Sequence, residues 1–147
     1  QKYVYFPLIS QPESATQVRE NMWINQLSII EVLAKSVPFD WKVYVKEHPG
    51  NPGYQVRPRS YYKEIQSYPN VELLPIDLDS HEIMRNSQMV VIISGTSAWE
   101  SILFYDKPVI HFAKEFYEIA GLSKTGCFQV RKPIHRPRII LESKFSE

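Results

Sequence analysis

Short apolar runs alternate with stretches of helical periodicity along this chain of 147 residues. Five runs are rich in β-branched and aromatic residues and predict strands at residues 2–6, 41–46, 71–74, 89–93 and 108–112. Between the first two strands, apolar residues recur at spacings of three and four, at Trp23, Leu27, Ile30, Ala34 and Val37, which predicts an amphipathic helix. Further helices are predicted at residues 59–68, 81–86 and 97–105. Because alternating strands and helices are typical of parallel sheets covered on both faces, we expect an α/β fold, a Rossmann-like three-layer domain with about five parallel strands.

The apolar run at residues 89–93 is followed at once by a small polar loop made of Ser94, Gly95, Thr96 and Ser97. A strand that turns directly into a helix leaves backbone N–H groups at the positive end of that helix. Gly95 allows close approach, and the three hydroxyls add donors. The loop therefore predicts an anion site, with phosphate as the ligand; the alternative is that these residues only cap the helix.

A second candidate loop follows the strand at residues 41–46 and contains Lys46, Glu47, His48 and Pro49. Pro49 restricts His48 to an extended conformation, which projects its ring from the strand end. An imidazole can donate to a phosphate oxygen, and Lys46 adds positive charge. A lone histidine at a strand end is more often structural. Because the carboxyl ends of parallel strands meet at one edge of the sheet, however, the second anion loop there favours a phosphate contact.

Acidic residues at two places each allow two interpretations. Glu100 lies one turn into the helix that follows the 94–97 loop, where it would either accept hydrogen bonds from a ribose diol or complement the helix dipole. Asp77 and Asp79 match the Asp-x-Asp pattern of metal-dependent sugar transferases, but they precede Ser80 at a predicted helix start, so we expect capping. The sequence has no cluster of His, Cys and carboxylate residues with the spacing of a metal site, and we expect neither a metal nor another cofactor.

Composition narrows the choice of partners and compartment. The chain has 17 basic and 16 acidic residues and a net charge of +1, which gives no electrostatic case for a nucleic-acid partner. An apolar fraction of 44% is ample for one core. Cys127 is the single cysteine, so no internal disulfide can form; this suits a reducing compartment, and we expect a cytoplasmic location.

Read together, five segments resemble the capsule polysaccharide biosynthesis family; they are Val45–Pro49, Tyr68–Val71, Asp79–Ser80, Ser94–Glu100 and Lys107–Ile110. Their order and spacing are similar to the carboxyl-terminal, donor-binding half of glycosyltransferases with the two-domain GT-B fold. The His48–Pro49 pair is similar to that of sialyltransferases and Kdo transferases, in which the histidine meets the phosphate of a CMP-sugar. Teichoic acid polymerases that use CDP-glycerol look alike here. The 94–96 loop and Glu100 also resemble UDP-N-acetylglucosamine 2-epimerases, although Thr96 stands where those enzymes have a second glycine.

The resemblance implies the donor-binding domain of a bacterial glycosyltransferase for capsule or other surface polysaccharide, with a CMP-sugar as the favoured donor. It implies that His48 is catalytic and stabilises the leaving phosphate together with the Ser94–Ser97 loop, and that Lys46, Glu47, Pro49 and Glu100 bind the substrate, Glu100 at the ribose. The polysaccharide or glycolipid acceptor would bind a missing amino-terminal domain, so this chain alone would be inactive. The rival functions are a non-catalytic nucleotide-binding or export-accessory module and an enzyme similar to UDP-sugar 2-epimerases.

Two segments are expected within the chain. Residues 1–122 would form the Rossmann-like nucleotide-sugar-binding domain, and residues 123–147 a C-terminal extension in which basic residues outnumber acidic ones. We expect this extension to pack on the domain or on the missing partner domain. Its charge also allows a peripheral contact with the anionic inner face of the cytoplasmic membrane.

Overall fold

The computed structural model describes residues 1–9, 25–48, 57–93, 95–112 and 123–125. Strands and helices alternate along the described residues: β1 (Lys2–Pro7), α1 (Gln26–Ser36), β2 (Trp41–Lys46), α2 (Arg59–Ile65), β3 (Val71–Leu74), α3 (Ser80–Asn86), β4 (Met89–Ile92), α4 (Thr96–Tyr105), β5 (Val109–His111) and β6 (Ser123–Thr125). The ends of the five predicted strands agree with the observed ones to within one residue.

All neighbouring strands pair in parallel, in the order β3-β2-β1-β4-β5-β6. The chain first builds outward from β1 to β3 and then returns to place β4 on the other side of β1. The topological switch point therefore lies between β1 and β4. In sheets of this kind, ligands bind beyond the carboxyl ends of the strands at that point. The predicted Rossmann-like α/β fold with a parallel sheet is confirmed.

The sheet is buried on both faces, which explains why its strands are almost continuously apolar. On one face Val4, Phe6 and Val45 form a core with residues of α1 and α2. On the other face Tyr3 and Tyr5 belong to a second core with residues of α3 and α4. Alternate residues of each strand point to opposite faces, so the strands supply both cores and the domain has three layers.

β6 was not predicted. It pairs with β5 in parallel, Val109 opposite Ser123 and His111 opposite Thr125. A short polar segment of this kind carries no hydrophobic pattern, because an edge strand is defined by backbone hydrogen bonds to its neighbour. β6 belongs to the predicted extension, of which only residues 123–125 are described, so the domain boundary after residue 122 stays a prediction; Cys127 lies outside the described residues.

α3 and α4 each begin one residue earlier than predicted, and α2 departs further from its predicted limits. α2 ends three residues earlier than predicted, where the N–H and the hydroxyl of Ser67 both bond to the carbonyl of Glu64. The described part of α1 begins at Gln26, after the N-cap Asn25, and Trp23 lies outside the described residues. Gln26 is buried and exchanges two hydrogen bonds with the backbone of Ile9, at 2.9 and 3.0 Å, which anchors the segment that follows β1.

Candidate functional site

The two candidate loops leave the sheet at the same edge. β2 and β4 each pair in parallel with β1, one on either side, so their carboxyl ends flank the end of β1. Both loops leave the sheet at the carboxyl ends of parallel strands, as expected, with the end of β1 between them. The 94–97 loop borders the switch point between β1 and β4, and the His48 loop follows the strand on the other side of β1.

The β4–α4 junction is a tight turn built around Gly95. Its φ of 125° and ψ of 173° belong to a region that L side chains rarely adopt. Gly95 is also the N-cap residue of α4, so no side chain caps the helix at that position. A helix that starts in this way presents first-turn N–H groups to a ligand or to water. Ser94 lies outside the described residues.

Two further side chains of this junction are placed by α4. Thr96 is exposed at the first position of the helix, and Ser97 is half-buried, with its carbonyl accepting a hydrogen bond from Ser101 Oγ at 2.6 Å. Glu100 is half-buried one turn further on. Within the described residues, no hydrogen bond or ion pair of the Glu100 side chain is present, and the expected ribose contact stays a prediction.

His48 is exposed directly after the end of β2. Its backbone N–H donates to Glu47 Oε1 at 3.0 Å, so the carboxylate next to it in sequence holds the start of the loop. Pro49 lies outside the described residues. The exposure of His48 matches the predicted phosphate contact, which itself stays a prediction.

Lys46 faces away from Glu47, toward α3. The residue is only 2% exposed, and its Nζ donates to Ser80 Oγ at 3.0 Å. Tyr5 Oη lies 3.5 Å from the same hydroxyl. Burial lowers the pKa of the Lys46 ammonium, and the nearby carboxylates of Asp79 and Asp77 oppose that shift. The predicted substrate contact of Lys46 stays untested, but its ammonium already has a partner inside the protein.

Glu47 faces the opposite side of the sheet. Its Oε2 accepts hydrogen bonds from Arg57 Nε and from Tyr62 Oη, each at 2.9 Å. Arg57 and Tyr62 were not identified from the sequence. In the sequence, Glu47 is followed by a Pro- and Gly-rich stretch and then by Arg57. This pattern does not indicate which side chain pairs with Glu47.

The Asp-x-Asp segment serves as a helix cap, as predicted. Asp79 is the N-cap of α3, and its side chain accepts a hydrogen bond from the N–H of His81 at 2.9 Å. Across the described ranges, no group of three or more His, Cys, Asp or Glu side chains is arranged to hold a metal ion. None of the helices in those ranges is long and apolar enough to cross a membrane.

The strand order and the crossover helices define a Rossmann-like α/β domain. The model of the family described as capsule polysaccharide biosynthesis protein matches residues 3–140. The chain therefore belongs to the capsule polysaccharide biosynthesis family, as the sequence motifs indicated. The comparison with curated proteins gives no match.

Two solved structures share the fold. KpsC of Thermosulfurimonas dismutans, described as a beta Kdo 2,4 transferase, has a TM-score of 0.64 and 15% identity over 86% of this chain and 38% of its own. The S. aureus MnaA–UDP co-structure has a TM-score of 0.52 and 16% identity over 78% of this chain and 29% of its own. The chain thus spans well under half the length of each of these proteins.

Proposed function

We propose that this chain is the donor-binding domain of a glycosyltransferase for capsule or other surface polysaccharide, forming one half of a GT-B fold. The observation that carries the proposal is the pair of loops, at His48 and at residues 94–97, on either side of the end of β1 in a member of the capsule family. The similarity to KpsC, described as a Kdo transferase, supports the same reaction class.

In this proposal the donor's phosphate lies between the two loops. His48 donates to a phosphate oxygen, and the N–H groups at the start of α4 with the hydroxyls of Ser94, Thr96 and Ser97 stabilise the charge that grows on the leaving group. Glu100 accepts from the ribose hydroxyls. Lys46 and Glu47 hold the end of β2 through their hydrogen bonds, and Pro49 restricts His48.

The acceptor, a polysaccharide or a glycolipid, would bind a second domain across the cleft. We further propose a CMP-sugar as the donor and a cytoplasmic location with contact at the inner face of the membrane. A UDP-sugar enzyme is the second candidate, because the fold is shared with a protein whose structure was determined with UDP.

Nucleotide titration tests the proposal and discriminates the candidates. Calorimetric titration with CMP, CDP and UDP should show a clear preference for one nucleotide; CMP supports the favoured donor, and UDP the second candidate. If none of the three nucleotides binds detectably, donor binding is contradicted and an accessory module is favoured.

The variant His48→Ala tests the phosphate contact. A charge-assisted hydrogen bond contributes about 1.5–3 kcal/mol, so nucleotide affinity should fall by about one to two orders of magnitude. Folding should be retained, since His48 is exposed.

His81→Ala is the matched control, because His81 is also exposed and bonds through Nδ1 to Tyr105 Oη at 2.8 Å. Its affinity for nucleotide should equal that of the wild type. If His48→Ala lowers the melting temperature sharply while the folded protein binds nucleotide normally, His48 is structural and the phosphate contact is refuted.

A further inference from the structure

The carboxylate of Glu47 joins the candidate site to the body of the domain. One of its oxygens accepts from the backbone N–H of His48, and the other accepts from both Arg57 and Tyr62. His48 lies in the loop that follows β2, whereas Tyr62 belongs to α2. The position of the His48 backbone is therefore coupled to the packing of α2 through a single side chain.

Arg57 extends this network to β1. Its Nη2 donates to the carbonyl of Ile9 at 2.7 Å, while its guanidinium lies 4.7 Å from the centre of the Tyr61 ring. Ile9 is buried just beyond the end of β1, and its backbone is also bonded to Gln26. Arg57 thus ties the end of β1, which borders the switch point, to the end of β2.

The burial of the Glu47–Arg57 pair distinguishes it from an ordinary surface ion pair. The side chains of Arg57 and Glu47 are 8% and 20% exposed, whereas those of the Lys35–Glu31 pair on α1 are 67% and 46% exposed. An exposed pair of the second kind contributes little to structure. Removing one partner of a buried pair leaves the other charge uncompensated and displaces the groups that it holds.

We propose that Glu47 is a positioning residue, which sets the backbone of His48 and thereby the affinity for the donor's phosphate, and that it is not itself a substrate ligand. This inference rests on the proposed phosphate contact of His48. The geometry directs both carboxylate oxygens toward donors of the protein, and the connection to α2 and β1 holds the backbone of His48 in place before the ligand arrives.

A direct effect of the Glu47 charge and a positioning effect on His48 predict opposite changes in nucleotide affinity, which makes the proposal testable. If Glu47 acted on the nucleotide through its charge alone, Glu47→Gln would strengthen the binding of an anion, because a negative charge near the phosphate is removed. If Glu47 acts by positioning His48, the same change should weaken binding by about tenfold, because an amide has one acceptor oxygen and cannot serve both the His48 N–H and the Arg57 and Tyr62 donors. Tyr62→Phe keeps the charge and removes one donor; it should weaken binding by about threefold.

The experiment is a double-mutant cycle measured by calorimetry with the nucleotide that the wild type prefers, together with melting temperatures. In the His48→Ala background, Glu47→Gln should have no further effect beyond about twofold, because the group that Glu47 positions is gone. Glu31→Gln makes the same chemical change at the exposed pair on α1 and should leave affinity unchanged.

Four outcomes would overturn the inference. Binding strengthened by Glu47→Gln would assign an electrostatic effect, and additive effects of the two substitutions would show that Glu47 acts independently of His48. A lowered melting temperature with normal affinity in both Glu47→Gln and Tyr62→Phe would leave the network a purely structural role. If His48→Ala itself binds normally, the proposed phosphate contact fails first, and the inference falls with it; the single variants therefore distinguish the two failures.

Discussion

Lys46 and Glu47 are adjacent in the sequence, yet their side chains leave the strand end in opposite directions. Lys46 bonds to Ser80 on α3, whereas Glu47 bonds to Arg57 and to Tyr62 on α2. Successive side chains of a strand alternate between the faces of the sheet, and this alternation continues at its end. The segment that reads as one charged motif around His48 is therefore split between two separate networks.

Tyr61 provides a residue-scale prediction because its hydroxyl is buried without a hydrogen-bond partner among the described residues. Burial raises the pKa of Tyr61 from 10.0 to about 12. Between pH 10 and about 12 the unfolded chain loses the Tyr61 proton while the folded protein keeps it. The stability that is fully present below pH 10 is therefore lost as the pH rises toward 12. Tyr61→Phe removes this loss, so its free energy of unfolding near the upper end of that range should exceed that of the wild type by about 1–2 kcal/mol, allowing for solvent screening.

Urea denaturation of both proteins between neutral and strongly alkaline pH measures the effect. At neutral pH, Tyr61→Phe should be as stable as the wild type or more stable by about 1 kcal/mol, because it removes an unpaired buried polar group. Curves of stability against pH that run parallel for the two proteins would show that the Tyr61 hydroxyl titrates as it does in the unfolded chain.

At the scale of elements, the β4–α4 junction shows how one backbone conformation shapes the site. The strand ends at Ile92 and the helix starts at Thr96, so the chain reverses within a few residues. Gly95 makes this possible with a φ of 125°. The opposite end of α4 also has a left-handed residue, Asp106 with a φ of 51°, although the sequence there has no glycine.

Gly95→Ala should destabilise the protein and reshape the loop. An added Cβ would meet Ile92 Cδ1 at 3.6 Å, an ordinary contact, so the cost arises from backbone strain. Strain of this kind costs about 1–3 kcal/mol, and nucleotide affinity should fall as well, because the first turn of α4 must shift. Asp106→Gly is the reciprocal control, and it should preserve or raise stability, since glycine accepts the left-handed conformation.

Chemical denaturation and nucleotide titration of the two variants check this prediction. Unchanged stability of Gly95→Ala would mean that the junction adopts another conformation in solution. If Gly95→Ala is destabilised but its nucleotide affinity is unchanged, the loop at Gly95 does not contribute to phosphate binding.

At the scale of the whole molecule, the sheet order decides where a ligand can bind. The reversal of direction at β1 brings two loops from distant parts of the sequence to one edge. The chain corresponds to 38% of KpsC and 29% of MnaA, so a complete enzyme of either kind contains far more than this domain. The proposed function assigns the acceptor site to such an additional part.

We therefore expect that this chain alone binds a nucleotide but transfers no sugar. Incubation with an activated sugar and an acceptor saccharide should release nucleotide only at the background rate, measured by chromatography. A glycosyltransferase with both domains serves as the positive control for the assay. Robust transfer by this chain would refute the assignment of the acceptor site to another domain, while leaving nucleotide binding intact.

The sequence by itself determined five of the strands, the helices between them and the positions of both loops. The apolar runs predicted five strands to within one residue, because burial on both faces of a parallel sheet demands continuous hydrophobicity. Pro49, Gly95 and the Asp79 cap are likewise local, since each acts on its immediate neighbours in the chain. The family motifs depend on such local segments, and for that reason they could be identified without a structure.

Only the tertiary structure decided which side chains meet. The order of the strands, the polar strand β6, the burial of Gln26 against Ile9 and the partners of Lys46 and Glu47 all depend on contacts between residues far apart in the chain. A hydrogen bond such as that from Arg57 to the carbonyl of Ile9 leaves no periodicity and no motif in the sequence. Its physical basis is the parallel sheet itself, which brings the ends of β1 and β2 together and buries the charges between them.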